Sequence, residues 1–349
     1  MTETELEITL GVDTHKDSHV AAAFDPLGRL LGTATFAASG PGYDELFEWA
    51  SGFGAVVTAG VEGTGSWGAG LARSLAQAGV EIIEVNRPNR QRRRANGKSD
   101  PADAIAAGRA VLAGDATAIA KAGTGPIEGL RMLRCARRSA DKARTQAANQ
   151  IHSLLDTAPE ALRAELRDLP LRTIVDRAAR LRPSGSLANP LTAAKIALRS
   201  LARRFQDLDD ERRELDRQIA ELVELAAPAE LLEQYGVGPH TAAALLVAAG
   251  DNPDRLHSEA SFAALCGTSP VDASSGRQQR HRLNRGGDRQ ANHALWRIVM
   301  VRLAHDPTTR AYLERRIKDG KTKREAIRCL KRYVARDLAR ILHRHQQTT

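Results

Sequence analysis

The apolar residues of positions 6–121 fall into short runs separated by turn residues, a pattern that predicts alternating strands and helices. Residues 55–61 form a continuous, β-branched run, which is typical of a parallel strand buried on both faces. Two earlier runs flank a short turn and predict a β-hairpin. The predicted strands cover residues 8–12, 19–24, 30–36, 55–61 and 80–85, and the predicted helices begin after Pro41 and cover residues 71–78.

This element order predicts an α/β fold of the ribonuclease-H type. Three strands paired as hairpins are followed by helix, strand, helix, strand and helix. We therefore expect an N-terminal α/β, ribonuclease-H-like domain over residues 1–125, in which the first and fourth strands lie side by side.

Between residues 127 and 227 the sequence predicts two long helices and no strand. The first, over residues 130–155, is strongly basic, and the second ends near Leu225. Apolar residues in the second helix keep a heptad spacing for about three repeats, with Arg212 in place of one apolar member. The two helices either pack together as an intramolecular hairpin, or the heptad seam recruits a second chain. We expect a helical, coiled-coil arm over residues 126–228. The seam consists of Leu201, Phe205, Leu208, Leu215, Ile219 and Leu222.

The remaining residues, 229–349, are predicted to form a mostly α C-terminal domain. Gly236 and Gly238 lie between two apolar helical segments, as in a helix-hairpin-helix, whose exposed backbone N–H groups bind phosphate. A Gly-x-Gly turn between helices also occurs for packing reasons alone. The tail, residues 318–344, is predicted to be one basic helix that packs and contacts nucleic-acid backbone.

Composition narrows the choice of partner and compartment. Lys and Arg number 51 against 42 Asp and Glu, a net charge of +9 that favours a polyanionic partner. Three widely spaced cysteines argue against a disulfide framework or a zinc cluster. The acidic N-terminus lacks the apolar segment of a signal peptide, and no run is long enough to span a membrane. We expect a cytoplasmic protein, associated with the nucleoid if its partner is DNA.

Four acids lie where the predicted elements would bring them together. Asp13 and Glu62 follow two neighbouring strands and would share one edge of the sheet. Asp100 and Asp103, three residues apart at a helix start, share one helix face with Cβ atoms about 5–6 Å apart. Carboxylates bind Mg²⁺, and two such ions about 3.5–4 Å apart can steady both oxygens of a phosphoryl displacement. The alternative is that Asp100 caps the helix before Pro101 and Asp103 favours its dipole.

Two further segments carry candidate nucleic-acid contacts. A basic run directly precedes the helix of Asp100, where it would draw a phosphate backbone across the acids, although most such runs are solvated loops. Ser274 and Ser275 lie on a later loop among arginines, where a serine is a phosphate contact, a turn residue or a nucleophile. The basic candidates are Arg87, Arg90, Arg92, Arg93, Arg94 and Lys98 in the run, and Arg277, Arg280, Arg282 and Arg285 after the serines.

Four ordered motifs, spread over nearly the whole chain, resemble those of the DEDD transposases of IS110-type insertion sequences. The resemblance implies a RuvC-like N-terminal domain, a helical insertion and a C-terminal transposase domain with a catalytic serine. It also implies a recombinase that pairs a structured noncoding guide RNA with donor and target DNA and exchanges strands through a phosphoserine. The motifs are Gly11-Val12-Asp13-Thr14-His15-Lys16, Val61-Glu62-Gly63-Thr64-Gly65, Lys98-Ser99-Asp100-Pro101-Ala102-Asp103-Ala104 and the segment from Gly267 and Pro270 to Ser275-Gly276.

The resemblance also implies a role for particular residues. The four acids would hold Mg²⁺, with Mn²⁺ as a substitute, and Ser275 would be the nucleophile because it directly precedes Gly276. Ser274 leaves the register open by one position, and Ser269 is a weaker candidate. By charge alone, Arg277 or Arg280 could stabilise the negative charge that develops on the phosphorane. The acids and the serine lie on different domains, so we expect a homo-oligomer, a dimer or tetramer, to assemble on DNA.

Other functions fit part of the pattern. A RuvC-like junction nuclease would use the same acids with water as nucleophile and would form no protein–DNA bond. Sugar kinases and actin-like ATPases also begin with a strand-end acid and a hairpin, but they need a second ribonuclease-H-like half, and residues 127–227 are predicted to be helical. A non-catalytic DNA-binding protein would explain the charge but not the four acids.

Overall fold

The computed structural model describes residues 6–85, 100–252, 258–276 and 281–348. These residues divide into two compact units. The first falls within residues 1–128 and 245–349, and the second covers residues 129–244. The three-domain boundaries predicted from the sequence stay a prediction.

The first unit is built on a five-stranded mixed sheet. Its strands follow the order β3-β2-β1-β4-β5, in which β2 is antiparallel to both β1 and β3, and β4 is parallel to both β1 and β5. The predicted strands and hairpin are confirmed, as is the side-by-side placement of the first and fourth strands. The strands are β1 Glu7–Thr14, β2 Ser18–Phe24, β3 Leu30–Ala37, β4 Ala55–Glu62 and β5 Glu81–Val85.

Helices cover both faces of this sheet. Alternate residues of each strand point to opposite faces, and those of β2 show it: Ala21 and Ala23 belong to the core under α1 and α2, whereas Ala22 and Phe24 pack with Ala104 of α3. The central parts of β1 and β4 are mostly apolar because the sheet is covered on both faces there, and their polar residues Asp13, Thr14 and Glu62 lie at the strand ends. The helices are α1 Gly40–Ser51, α2 Ala69–Gln77 and α3 Asp100–Leu112.

Helix α3 lies unusually close to β1, because both elements carry glycine at the contact. A Cβ atom on Gly11 would lie 2.2 Å from the carbonyl oxygen of Ala104 and 2.2 Å from the amide nitrogen of Gly108. A Cβ atom on Gly108 would in turn lie 2.5 Å from the ring of Phe24. Only residues without a side chain permit this approach. The close contact determines where the first turn of α3 lies relative to the end of β1.

The second unit is helical, as predicted. Its two long helices interact through charged side chains: Arg137 of α4 donates to Asp216 of α7 over 2.8 Å, and Arg144 donates to Asp209 over 3.1 Å. Arg212, which interrupts the heptad seam, donates to both of these aspartates. The intramolecular alternative is therefore realised over this stretch, while recruitment of a second chain stays a prediction. The helices are α4 Pro126–Thr157, α5 Glu160–Leu166, α6 Leu171–Ala179, α7 Pro190–Ala226, α8 Ala229–Leu232 and α9 Pro239–Ala249.

The C-terminal residues of the first unit are mostly helical, as expected, with two departures. The tail helix begins five residues later than predicted, because α12 ends at Lys318, Gly320 adopts a φ of +85°, and α13 begins only at Lys323. A two-stranded hairpin pairs Val271 with Arg282, and strands this short leave no periodicity to detect. The elements are α10 Glu259–Leu265, β6 Val271–Asp272, β7 His281–Arg282, α11 Arg289–His305, α12 Pro307–Lys318 and α13 Lys323–Thr348. Within the described ranges, none of the helices has the length and apolarity needed to cross a bilayer.

We expect Gly11→Ala to destabilise the first unit, because the new methyl group would overlap the backbone of α3. Overpacking of this kind costs about 1–3 kcal/mol or more, and each kcal/mol lowers Tm by about 2–4 °C in a protein of this size. Thermal unfolding followed by circular dichroism measures the effect. Gly40→Ala is the matched control, because a Cβ atom there meets nothing within 4 Å. Equal Tm values for the two variants would contradict the close packing of α3.

Candidate functional site

Two acids lie at the ends of neighbouring parallel strands. Val12 pairs with Val61 in the register of β1 and β4, so Asp13 and Glu62 occupy adjacent positions at the same edge of the sheet. The hydroxyl of Thr14 donates to the backbone carbonyl of Glu62 over 2.7 Å and ties the two strand ends together. Asp13 and Glu62 are each only 5% exposed. Two carboxylates are thus held side by side with little access to water.

The first turn of α3 brings the other two acids to this pair. Asp100 and Asp103 are both partly exposed in that turn. Burial raises the pKa of Asp13, His15 lowers it, and Glu62, Asp103 and Asp100 raise it further through charge repulsion. Each of the other three carboxylates is therefore close enough to repel the charge of Asp13. The structure brings together the four acids that the sequence singled out, while their role in catalysis stays a prediction.

A histidine that the sequence analysis did not select lies in the same cluster. Nδ1 of His15 is 3.8 Å from Oδ2 of Asp13, and Nε2 is 3.9 Å from Oδ1 of Asp100. One potential ligand atom from each of these residues lies within 4.8 Å of the others, a spacing that could hold a metal ion. The available signal was the spacing: His15 follows Asp13 by two positions, and such residues share one side of an extended chain.

The donor set fits a hard divalent cation. Carboxylate oxygens suit Mg²⁺ and Mn²⁺, and an added imidazole is tolerated better by Mn²⁺ than by Mg²⁺. Four carboxylates at one edge, two of them nearly buried, repel one another unless a cation or protons offset their charge. Burial raises the pKa of Asp13 most, the charges of the other three acids raise it further, and a bound cation would oppose both effects.

The serine loop belongs to the two-stranded hairpin rather than to the large sheet. Ser274 and Ser275 lie between β6 and β7 and are exposed. The hydroxyl and the backbone N–H of Ser274 both donate to Oδ1 of Asp272, over 2.5 and 2.8 Å, and these bonds lower the pKa of Asp272. The hydroxyl of Ser274 is therefore engaged in a local turn.

The remaining predicted residues fall in three groups. Arg282 lies on β7, Arg285 follows it, and both are exposed. Gly238 precedes α9, and its N–H donates to the hydroxyl of Thr241 over 2.9 Å, so this amide of the predicted helix-hairpin-helix is satisfied internally. Gly236 lies in the same turn. The candidates outside the described residues are Arg87, Arg90, Arg92, Arg93, Arg94, Lys98, Arg277 and Arg280.

Comparison with known proteins identifies the class to which this arrangement belongs. A transposase family model for DEDD enzymes of the IS110 type matches residues 10–159, which include all four acids. A second model, for transposases of the IS116/IS110/IS902 family, matches residues 229–314, which include both serines of the hairpin. Both family models that the chain resembles are of transposases.

A relative in Streptomyces coelicolor points to the same family. It is named "Insertion element IS110 uncharacterized 43.6 kDa protein", and the two sequences are 34% identical over 134 residues. The alignment covers 38% of this chain and 33% of the relative, so the chain spans about a third of that protein's length. Together these matches support the assignment of the chain to the IS110 family of insertion-sequence transposases.

We expect Mg²⁺ or Mn²⁺ to stabilise the protein and Asp13→Asn to remove that effect. A ligand at a hundred times its Kd adds about 2.7 kcal/mol, which corresponds to a rise in Tm of about 5–10 °C. Differential scanning fluorimetry with added metal or with chelator measures it. Asp17→Asn is the control, because Asp17 is exposed outside the cluster. An equal metal-dependent rise in Asp13→Asn would contradict the site.

In chelator, Asp13→Asn is expected to be more stable than the wild type at neutral pH. The raised pKa of Asp13 means that the folded protein holds this proton more tightly than the unfolded chain. Wild-type stability is therefore lost as the pH rises from the ordinary carboxyl value of 3.8 through the raised pKa, and the amide variant does not share that loss. The Tm difference between the two proteins should grow over this window and vanish below it; a constant difference would contradict the repulsion.

Proposed function

We propose that this protein is the transposase of an insertion sequence, a recombinase that cuts and rejoins DNA strands. The observation that carries the proposal is the meeting of Asp13, Glu62, Asp100 and Asp103 at one edge of a mixed sheet. The strand order β3-β2-β1-β4-β5 supports a ribonuclease-H-like, RuvC-like architecture for the domain. The two transposase family matches support the same reading from the sequence.

The four carboxylates would hold Mg²⁺ in this proposal. Asp13 and Glu62 are nearly buried and fixed by the sheet, so they would define the position of the ion. Asp100 and Asp103 are partly exposed and would face the DNA. A bound divalent ion would neutralise the phosphodiester and support an in-line displacement at phosphorus. His15, between Asp13 and Asp100, would add a nitrogen donor that lets Mn²⁺ replace Mg²⁺.

Ser275 would supply the nucleophile. Its hydroxyl would lose a proton to water and form an Oγ–P bond, while the bond from phosphorus to the sugar oxygen breaks and that oxygen takes up a proton. A sugar hydroxyl of the second strand would then attack the phosphoserine and release the serine. Each step exchanges one ester bond for another, so strands are rejoined without an external energy source.

The hydrogen bonds of the hairpin favour Ser275 over its neighbour. The hydroxyl of Ser274 donates to Asp272, whose oxygen also accepts the N–H of Ser274, so this side chain closes a local turn. Ser269 accepts a hydrogen bond from Arg332 over 3.2 Å. Ser275 directly precedes Gly276 and lies at the exposed end of the turn, where a phosphodiester could reach it.

The partners follow from the same proposal. Donor and target DNA are the substrates, and the resemblance to IS110-type enzymes supports a structured noncoding RNA as guide. The net charge of +9 suits both nucleic acids and a place at the nucleoid. The turn of Gly236 and Gly238 would act as a helix-hairpin-helix on the backbone. A homo-oligomer, a dimer or tetramer, would complete the centre on DNA.

A RuvC-like junction nuclease is the second candidate. The acid cluster suits a water nucleophile as well as a serine, because metal held by the carboxylates would stabilise the attacking and the leaving oxygen whichever group supplies the attacking one. The two functions differ in their intermediate, since only a serine nucleophile leaves the protein bonded to DNA.

We expect Asp103→Asn to abolish strand cleavage while DNA binding changes little. The substitution removes one charge from the metal-binding face of α3 but keeps the shape of the side chain. Cleavage is measured on gels with DNA that carries the sequences flanking the gene. Binding of the same DNA is measured by fluorescence anisotropy. Asp115→Asn, at an exposed position after α3, is the control. Wild-type cleavage by Asp103→Asn would remove this residue from the metal centre.

Ser275→Ala is expected to form no covalent protein–DNA adduct, and Ser274→Ala is expected to form it. Denaturing gels of reactions with labelled DNA detect the adduct as protein that migrates with the label. The pair is matched, because each variant removes one hydroxyl from the same loop. Adduct formation by Ser275→Ala but not by Ser274→Ala would move the nucleophile by one position. Cleavage without any adduct in the wild type would favour the junction nuclease.

A further inference from the structure

A cavity with a strongly cationic lining lies in the first unit, beside the hairpin that carries the serines. Its volume is about 430 Å³, within the range of small-ligand sites. The walls come from residues 267–270, from β7 and the two residues after it, from Lys321, and from α13. We call it the cationic pocket and define it by its basic side chains, Arg282, Lys321, Arg328, Lys331, Arg332 and Arg336.

Lys331 is the buried cation of this pocket. It is 8% exposed, and its ammonium donates to Oδ1 of Asn292 over 2.8 Å. Asn292 is held in turn by bonds from its amide nitrogen to the carbonyl oxygens of Cys266 and Gly267. The acceptor is neutral, and burial and the charge of Arg328 both lower the pKa of Lys331. Within the described part of the chain Lys331 forms no ion pair, and an anion in the pocket would offset its charge.

The other basic groups are compensated only in part. Arg332 donates to the neutral hydroxyl of Ser269 over 3.2 Å. Glu325 is the acidic side chain of the lining, 3.6 Å from Arg328, and it also accepts bonds from the N–H and hydroxyl of Thr322. Arg336 pairs with Glu259, outside the lining, over 2.9 Å. The pocket therefore carries a surplus of positive charge at a concave, partly buried surface, which is suited to phosphate.

We infer that the cationic pocket binds a backbone phosphate of the DNA strand that Ser275 would cleave. The strand β7, which supplies Arg282, pairs with β6, and the serine loop joins these two strands. A phosphate held in the pocket would thus position the strand at the loop and carry no sequence information. The inference rests on the proposed function for the identity of the nucleic acid.

Two variants with a matched control test the pocket by binding alone. Arg332→Ala removes a donor from the wall, and Arg282→Ala removes an exposed one whose loss leaves the core intact. We expect each to weaken binding of a short fluorescein-labelled DNA oligonucleotide roughly tenfold and to lower the slope of log Kd against log salt by about 1. Arg310→Ala, exposed on α12 outside the lining, should match the wild type. Equal affinities and slopes for all four proteins would overturn the inference.

Cys329 gives a readout at the pocket itself. Its thiol is partly buried in the lining, so a bound strand should slow its alkylation by N-ethylmaleimide. Alkylation is measured by peptide mass spectrometry at a DNA concentration that saturates the wild type but not Arg332→Ala. We expect DNA to protect Cys329 in the wild type and in Arg310→Ala, and not in Arg332→Ala. An unchanged alkylation rate with DNA bound to the wild type would place the strand elsewhere and overturn the inference.

The same measurements separate this inference from the proposed function. They are made in chelator, without cleavage, so a wrong assignment of the nucleophile or of the metal centre leaves their outcome unchanged. An RNA oligonucleotide of the same sequence is measured in parallel. If Arg332→Ala and Arg282→Ala weaken the binding of RNA but not of DNA, the assignment to DNA is overturned. If they weaken the binding of DNA, the assignment is supported.

Discussion

The close packing of α3 against β1 is the contact on which the candidate site depends. Gly11 and Gly108 let the helix approach until backbone atoms touch, and the first turn of α3 then meets the ends of β1 and β4. Four carboxylates converge there, and the pKa of Asp13 is raised first by its burial and then by the charges of the other three acids. A bound cation would stabilise these like charges, so the close packing of α3 would serve to build the proposed metal site.

The sequence predicts the sheet well because each strand has a local signature. The apolar run of β4 and the alternation around the first turn identify strands without tertiary information, and their order limits the topology. The strand-end positions of Asp13 and Glu62 follow directly. His15 was missed because its one signal, a position two residues after Asp13, identifies a ligand only once the other acids are placed. The break at Gly320 was missed because the basic residues on both sides continue a helical composition.

Features that join distant segments could not be predicted. The contact of α3 with β1 depends on glycines that have no signal until both elements are placed. The cationic pocket draws its charges from β7 and α13, more than thirty residues apart in the sequence. The heptad seam left two arrangements open, and the ion pairs of Arg137 and Arg144 with α7 realise the intramolecular one. The roles of the acids and of Ser275 stay predictions, as do the basic run before α3 and the arginines after Gly276.

The first unit therefore holds a cluster of acids that we propose binds a cation and a cluster of basic side chains that we propose binds an anion. The central claim is that Asp13, Glu62, Asp100 and Asp103 form one metal centre. Anomalous diffraction from crystals soaked in Mn²⁺ tests it most directly, because the signal locates the ion without reference to activity. We expect an anomalous peak that places Mn²⁺ within coordination distance of Asp13 and of at least one aspartate of α3. If Mn²⁺ binds only at other positions and none lies among these four side chains, the claim of a single metal centre is contradicted.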